Sequence, residues 1–469
     1  MAAQPAWVGE LRARLGDEQV LTGASQRKAY GFDATYLAGE PEAVVLPTST
    51  EQVAACLAVA QAHGVPVYPR GAGTGLSGGA VPQGGIALVM TRLNRILALD
   101  TRNLQAVVEA GVVTADLQRA ARQVGLFYPP DPGSARVCTI GGNIAENAAG
   151  PHSFQYGPTG HYVLGLEVVL AGGRVVRLGG CTSKDACGYD LVRLMVGSEG
   201  TLGVVTRAWL RLLPLPPARA SLVVAVDSPE ELEDRVVQMA VSPLRPSSLE
   251  MLDRRCVELL SDRLDAVPGL REALGPWHAR YGLLLADFLG LPEEVALKAR
   301  GLAREVEERG GRALAVVDGG EQARLWAARE ELSPRVARIA PTKISEDATV
   351  PLDELAGFLR DLDAIRDRHR VDLVVFGHAG DGNLHPNVLT DQRDPERMAR
   401  AVAAIDALFA AALARGGTLT GEHGVGRLKL PYLRQAVPAE TLALMAAVKR
   451  ALDPHGLLNP GKAILAPEP

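Results

Sequence analysis

Five glycines fall within the eleven residues Pro69-Arg70-Gly71-Ala72-Gly73-Thr74-Gly75-Leu76-Ser77-Gly78-Gly79. So dense a run loses too much backbone entropy to sit inside a helix or a strand, so it has to be a loop. It contains the pattern G-x-G-x-x-G at Gly73, Gly75 and Gly78. In a dinucleotide-binding Rossmann unit that pattern opens a helix. Here Ala80-Val81-Pro82-Gln83-Gly84-Gly85 follows, and then the apolar run Ile86–Met90, which reads as a strand. Asp100 stands near the position of the ribose acid, but a unit without its helix is not a Rossmann unit. Two readings remain: a flexible surface loop, or a backbone that turns sharply and presents amides to an anion such as a pyrophosphate.

Two more small-residue segments favour the second. Pro130-Asp131-Pro132-Gly133-Ser134 leads into Thr139-Ile140-Gly141-Gly142-Asn143-Ile144-Ala145-Glu146-Asn147-Ala148-Ala149-Gly150, and Val196-Gly197-Ser198-Glu199-Gly200-Thr201-Leu202-Gly203-Val204-Val205 turns into a strand. The whole stretch from Pro129 to Gly160 reads as loop. Three such segments, none expected on a helix, suggest a long ligand threaded between two subdomains.

At 469 residues the chain is too long for one core, so two or three domains are expected. Residues 6–16 read as a helix and Ala43–Leu46 as a strand. Ser49 is an N-cap with Gln52 three residues on, and Gly64 stops that helix. Strands follow at Val65–Tyr68, Ile86–Met90 and Ala106–Ala110, a helix at Thr114–Val124, and strands at Leu164–Leu170, Arg174–Leu178 and Gly203–Leu213. The proline-rich stretch 213–217 marks a boundary. Beyond it strands near 220–226, 281–288, 313–317 and 372–377 alternate with helices near 228–240, 293–309, 320–340 and 352–368. That pattern predicts an α+β domain, an antiparallel sheet with helices on one face. The expected division is 1–215, 216–420 and a closing segment 421–469.

The net charge of −5 and the lack of any basic run give no electrostatic case for nucleic acid. The five cysteines, Cys56, Cys138, Cys181, Cys187 and Cys256, form no C-x-x-C and no even disulfide set, which fits a reducing cytoplasm. The first residues carry acids and arginines where a signal peptide needs an apolar stretch. No apolar run approaches the ~18–20 residues of a membrane-spanning helix. Attachment to a membrane through a partner is left open.

The sharpest chemical signal is Gly377-His378-Ala379-Gly380-Asp381-Gly382-Asn383-Leu384-His385-Pro386-Asn387. Asp-Gly favours a two-residue hairpin turn. With Asp381-Gly382 as that turn, His378 would oppose His385 on one face, about 4.5–5.5 Å apart at Cβ, with Asn387 on the same face. Two imidazoles so placed can chelate a divalent ion. Pro386 is expected to keep the hairpin short. A carboxylate is available at Gly421-Glu422-His423-Gly424-Val425-Gly426-Arg427, and two histidines with one carboxylate and an open position form a catalytic metal arrangement.

The three glycine segments resemble the FAD-binding domain of the vanillyl-alcohol oxidase/p-cresol methylhydroxylase family. The two histidine motifs together are similar to the branch of glycolate oxidase FAD subunits, D-lactate dehydrogenases and D-2-hydroxyglutarate dehydrogenases. The likeness runs from about Ala29 to Lys462. It implies a PCMH-type FAD-binding domain of two subdomains, an α+β substrate domain with an antiparallel sheet, and a C-terminal segment returning to the FAD domain. It places Pro69-Arg70-Gly71-Ala72-Gly73-Thr74-Gly75-Leu76-Ser77-Gly78 around the pyrophosphate. Pro132, Gly133, Ser134, Gly141, Gly142, Asn143 and Asn147 would lie along the isoalloxazine and ribityl chain. Glu199, Gly200, Gly203 and Val204 would approach the adenine side, and Asn459 lies in the family's closing segment. The first loop has neither His nor Cys, so FAD is expected to be non-covalent.

The same resemblance implies that His378, His385 and Glu422 are metal ligands, for which zinc and manganese are equally suited, and that His423 accepts a proton. Arg329, in Trp326-Ala327-Ala328-Arg329-Glu330, and Lys343 would grip a substrate carboxylate, with Ser333 one helical turn beyond Arg329 and Asn387 beside the histidines. The implied reaction is oxidation of a small 2-hydroxy acid to the 2-oxo acid by hydride transfer to flavin N5. Glycolate and D-lactate are the first expectations and D-2-hydroxyglutarate an alternative. Metallohydrolase chemistry and a non-catalytic FAD-binding subunit are the rivals. A glycolate-oxidase-like chain would also need electron-accepting partners, a second flavin-domain protein and an iron–sulfur protein.

Overall fold

The computed structural model describes residues 5–464. The chain divides into two compact units, one comprising residues 1–149, 158–215 and 422–469, the other 150–157 and 216–421.

The first unit is built from two sheets. In the smaller, strands Ala43–Val45, Ile86–Val89 and Val67–Arg70 run parallel, with Val20–Leu21 antiparallel on the edge. The helix Thr50–His63 joins two of them, and its ends are set by local chemistry. Ser49 Oγ accepts from Gln52 N (3.4 Å), Gln52 Oε1 reaches back to Thr48 N (2.8 Å), and Gly64 closes the helix in the left-handed region. Val53, Cys56, Leu57 and Ala60 of this helix, Trp7, Val8 and Leu11 of the helix Ala6–Leu15, and strand residues Val45, Val67, Ile86 and Leu88 share one core. The larger sheet is a five-stranded antiparallel meander with a swap, in the order Ile96–Asp100, Gln105–Glu109, Val204–Arg211, Val163–Val169, Val175–Gly179. The sequence pattern did not predict the strand Ile96–Asp100, whose exposed Leu97 and Ala98 break the alternation.

Residues 422–464 belong to this same unit. Val67 N donates to Leu457 O and Asn459 N to Val67 O (2.8 Å each), so the C-terminal segment adds a short parallel bridge to the first sheet. Leu458 enters that sheet's core.

One expectation here is corrected. Ile140–Glu146, read as loop, is a helix, capped by Thr139 Oγ1 at Gly142 N and ended by Asn147 in the left-handed region. Its small residues serve close packing rather than irregularity: a Cβ on Gly141 would lie 2.7 Å from Ala110 Cβ. Short helices also occupy Ser153–Tyr156 and Thr159–Tyr162 within the stretch expected to be loop.

The second unit is an eight-stranded sheet whose pairs are all antiparallel, in the order Arg312–Val316, Ala218–Val226, Gly282–Gly290, Ser248–Asp253, Asp372–His378, Asn383–Thr390, Thr342–Ser345, with Ala348–Thr349 also paired to Asn383–Thr390. Helices cover both of its faces, not one. Val223 and Ala225 pack with Leu325, Leu332 and Val336 of the helix Gly319–Val336, while Leu222, Val224 and Val226, which point the other way, are equally buried. The strand Ser248–Asp253 and the helices Pro395–Ala414 and Ala439–Leu452 (the last in the first unit) stand where the sequence reading had no element.

Candidate active site

The central strands of the second unit bring the histidines together, in a register different from the expected one. The hairpin pairs Phe376 with His385, Gly377 with Leu384 and His378 with Asn383. The turn is therefore the four residues 379–382, a 3-10 turn Ala379–Asp381 followed by Gly382 at φ 69°. A side chain at Gly382 would meet Val350 O at 2.0 Å, and this close approach fixes the wider turn. His378 and His385 are thus diagonal neighbours on one face. Their rings are perpendicular, with centroids 5.0 Å apart, and both are buried.

The hairpin is also longer than expected, reaching Asp372–Leu389. Pro386 is tolerated because its missing N–H faces the neighbouring strand at its interruption. There Glu346 N donates to Pro386 O (3.0 Å), while opposite Pro386 the amide of Val375 donates instead to Asp253 Oδ2 (2.6 Å).

Each histidine has a buried carboxylate beside it that sequence reasoning did not find. Glu250, fully buried on Ser248–Asp253, contacts His378 Nδ1 through Oε1 at 2.5 Å. Its Oε2 accepts from Arg329 Nε (3.0 Å) and Nη2 (2.6 Å). Burial alone would raise the Glu250 carboxyl, but the charges and hydrogen bonds of His378 and Arg329 outweigh it and hold the group at about 2. Asp347, also fully buried, lies 3.6 Å from His385 Nδ1 and accepts from Asn383 Nδ2 (2.5 Å), Thr420 Oγ1 (2.7 Å) and Gly421 N (2.8 Å).

Arg329 lies on the helix Gly319–Val336 with its guanidinium 5.0 Å from the Phe376 ring centroid. Lys343 Nζ donates to Ser333 Oγ (2.8 Å), and burial pushes the Lys343 ammonium down to about 8. Asn387 is tied to the sheet around it. Its Oδ1 accepts from Ser345 Oγ (2.5 Å) and its Nδ2 donates to His385 O (2.7 Å), so its amide ties strands and backbone together at zero exposure.

The remaining site candidates lie in the first unit. Among the described residues, the amides from Ala72 to Gly79 donate to no other group of the chain. A half-buried loop with its N–H groups left over is a fitting cradle for a pyrophosphate. Arg70 lies beneath the loop: Nη1 donates to Tyr30 O (3.1 Å) and Phe32 O (2.7 Å), and a Cβ on Gly73 would strike its guanidinium. Gly200 packs on Pro69.

Glu199 and Asn459 knit the C-terminal segment to this loop. Glu199 accepts from Val425 N (2.8 Å) and Gly426 N (2.7 Å), and Asn459 Nδ2 donates to Gly79 O (3.2 Å) and Glu199 O (2.7 Å). Lys462 Nζ bonds Gly78 O and Val81 O. Burial first, then the neighbouring Glu199 charge, push the Glu146 carboxyl well above its usual range. Asn143, nearly fully buried, gives its amide to Thr114 Oγ1 (2.7 Å), and Asn147 Oδ1 accepts from Gly160 N (2.9 Å). Glu422 and His423 stand at the start of the C-terminal segment, 3.8 Å apart at Oε1 and Nε2.

A glycine loop with unused amides suits a nucleotide cofactor, and the second unit gathers histidines, carboxylates and cations about one sheet. The chain belongs to the FAD-linked oxidases. Residues 41–179 match the FAD binding domain, and residues 215–463 match the C-terminal domain of FAD linked oxidases. It is 40% identical over 439 residues to the glycolate oxidase subunit GlcD of Bacillus subtilis (strain 168), covering 93% of this chain and 92% of that one. It is 35% identical to a D-lactate dehydrogenase of Anaerostipes hadrus, covering 96% and 95%. Its fold matches that of p-cresol methylhydroxylase with substrate bound, with a TM-score of 0.81 at 21% identity over 98% of this chain and 96% of that one. Among the described residues, no helix is long and apolar enough to cross a membrane.

Proposed function

We propose that the chain oxidises a small 2-hydroxy acid, glycolate or D-lactate, to the corresponding 2-oxo acid. The observation that carries this reading is one buried cluster in the second unit. Two perpendicular imidazoles, a half-buried arginine and a desolvated lysine suit a carboxylate with an adjacent hydroxyl. The relatives named as glycolate oxidase subunit and D-lactate dehydrogenase support it.

The Pro69–Gly78 loop, Pro132–Ser134, Gly141–Asn147 and Gly200–Val204 would hold FAD without a covalent bond, and the flavin would supply a hydride acceptor. A divalent ion, zinc or manganese, on His378, His385 and Glu422 would polarise the substrate hydroxyl. Chain connectivity supports Glu422 as third ligand, since it follows Gly421, whose amide is bonded to Asp347 beside His385. Arg329 and Lys343, the latter steadied by Ser333, neutralise and orient the carboxylate. The hydroxyl proton would pass to the imidazole of His423, the side-chain type that serves most often as a general base. The relatives named as glycolate oxidase subunits support electron transfer to partner subunits.

The test is an anaerobic absorbance spectrum of the FAD-loaded protein. Oxidised-flavin bands near ~450 nm should bleach on adding glycolate or D-lactate. Bleaching by D-2-hydroxyglutarate alone would move the substrate to the longer diacid, and a spectrum that no hydroxy acid changes would refute the reaction class.

The lysine gives a pH signature. Lys343 is charged below about 8 and neutral above it, so its pull on the substrate anion is complete at pH 7 and fades as pH rises. KM should therefore climb by up to about tenfold between pH 7 and 9. In Lys343→Arg that rise should disappear from the range, because the guanidinium stays charged. An identical KM–pH profile in wild type and K343R would remove Lys343 from carboxylate binding.

A further inference from the structure

We infer that Glu250 is the positioning residue of this site, one carboxylate that fixes both the metal-ligand imidazole of His378 and the guanidinium of Arg329. The inference rests on the roles proposed above for those two residues. Glu250 lies between Leu249 and Met251 in a central strand, with no exposed surface. A carboxylate there is tolerated only when fully paired. Its two oxygens are divided between two partners: Oε1 to His378 Nδ1, Oε2 to Arg329 Nε and Nη2. The sheet register makes the first contact unavoidable. Leu252 pairs with Phe376 and Met251 with Gly377, so Glu250 and His378 are the next residues in line.

Two chemical consequences follow. With Nδ1–H donating to Glu250, Nε2 is the nitrogen that carries the lone pair of the neutral His378 ring, the one a cation needs, and the ring is held in one orientation. With Nε and Nη2 occupied, Arg329 presents its remaining Nη1 edge to an anion, the other side of its plane being braced by Phe376. Since the same carboxylate holds both groups, the spacing between the hydroxyl-side ligand and the carboxylate-side cation is set by one rigid strand residue. That is the preorganisation a two-point substrate needs. A merely structural ion triad would leave metal affinity and substrate affinity untouched.

The test is Glu250→Gln in the full-length, FAD-loaded chain. Its flavin absorbance should stay, because the FAD loop lies in the other unit. Competition titration with a chromogenic chelator should show Zn2+ affinity weakened ~10–100-fold, and KM for the hydroxy acid should rise more than kcat falls. Unchanged Zn2+ affinity together with unchanged KM would overturn the inference. If the variant does not fold, 15N-histidine NMR of the metal-free wild-type protein decides the same point, with His378 assigned from His378→Gln. A proton on Nδ1 is expected, and a His378 ring whose Nδ1 carries no proton would overturn it. Wild-type protein that takes up neither Zn2+ nor Mn2+ would overturn the metal reading alone, since the tautomer still reports on Glu250.

Discussion

Replacing His423 with alanine is expected to slow flavin reduction by substrate ~10²–10⁴-fold, the range over which a positioned base contributes. Alanine leaves the hydroxyl proton without an acceptor, and water in the vacated space is a far weaker base than imidazole. The neighbouring backbone should keep its place, because Val425 and Gly426 are held by Glu199 through amides that the substitution does not touch. FAD content and substrate binding should therefore remain near wild type. Stopped-flow reduction under anaerobic conditions reads the effect directly. A rate constant within twofold of wild type would remove His423 from proton transfer and leave the rest of the site standing.

Loss of the metal should be as severe. Dialysis against a chelator is expected to lower turnover by ~10³-fold, as several kcal/mol of Lewis-acid stabilisation are withdrawn. Zn2+ or Mn2+ should restore it in the wild-type protein. In His385→Ala neither ion should do so, because the diagonal imidazole pair is reduced to one ring. The flavin spectrum serves as the control, since no residue of the FAD loop belongs to the unit that carries His378 and His385. Full turnover in protein free of measurable metal would leave polarisation of the hydroxyl to Arg329, Lys343 and His423.

What could be read in the sequence was what is decided locally. The helix Thr50–His63 is announced by Ser49 and Gly64, both of which act within one turn of the residues they govern. The glycine run was legible as a loop because no regular element accommodates it. The histidine pair was legible as a pair, but not its register. The turn between them is widened by the approach of Val350 to Gly382, from a strand-to-helix connection about thirty residues earlier in the chain. Ile140–Glu146 was missed because its glycines and alanines were weighed as breakers, whereas Thr139 and Asn147 at its ends carried the contrary signal. Glu250 was out of reach altogether. It stands 128 residues from His378, inside Ser-Leu-Glu-Met-Leu-Asp, and nothing in that string distinguishes it from a surface glutamate until the two strands pair.

The return of the C-terminal segment has a bearing on how the molecule is made. Leu458 belongs to the core of the first sheet, and Asn459 and Lys462 fasten the loop at Gly78–Val81. Residues 216–421 can complete their own sheet as soon as they leave the ribosome. The earlier-made flavin unit cannot: its glycine loop stays unfastened until residues 458–462 have been made. Synthesis runs from N- to C-terminus, yet the N-terminal half is the one that matures last. A chain cut short before Leu458 should therefore keep the strands of the substrate unit and lack the contacts that fasten the glycine loop.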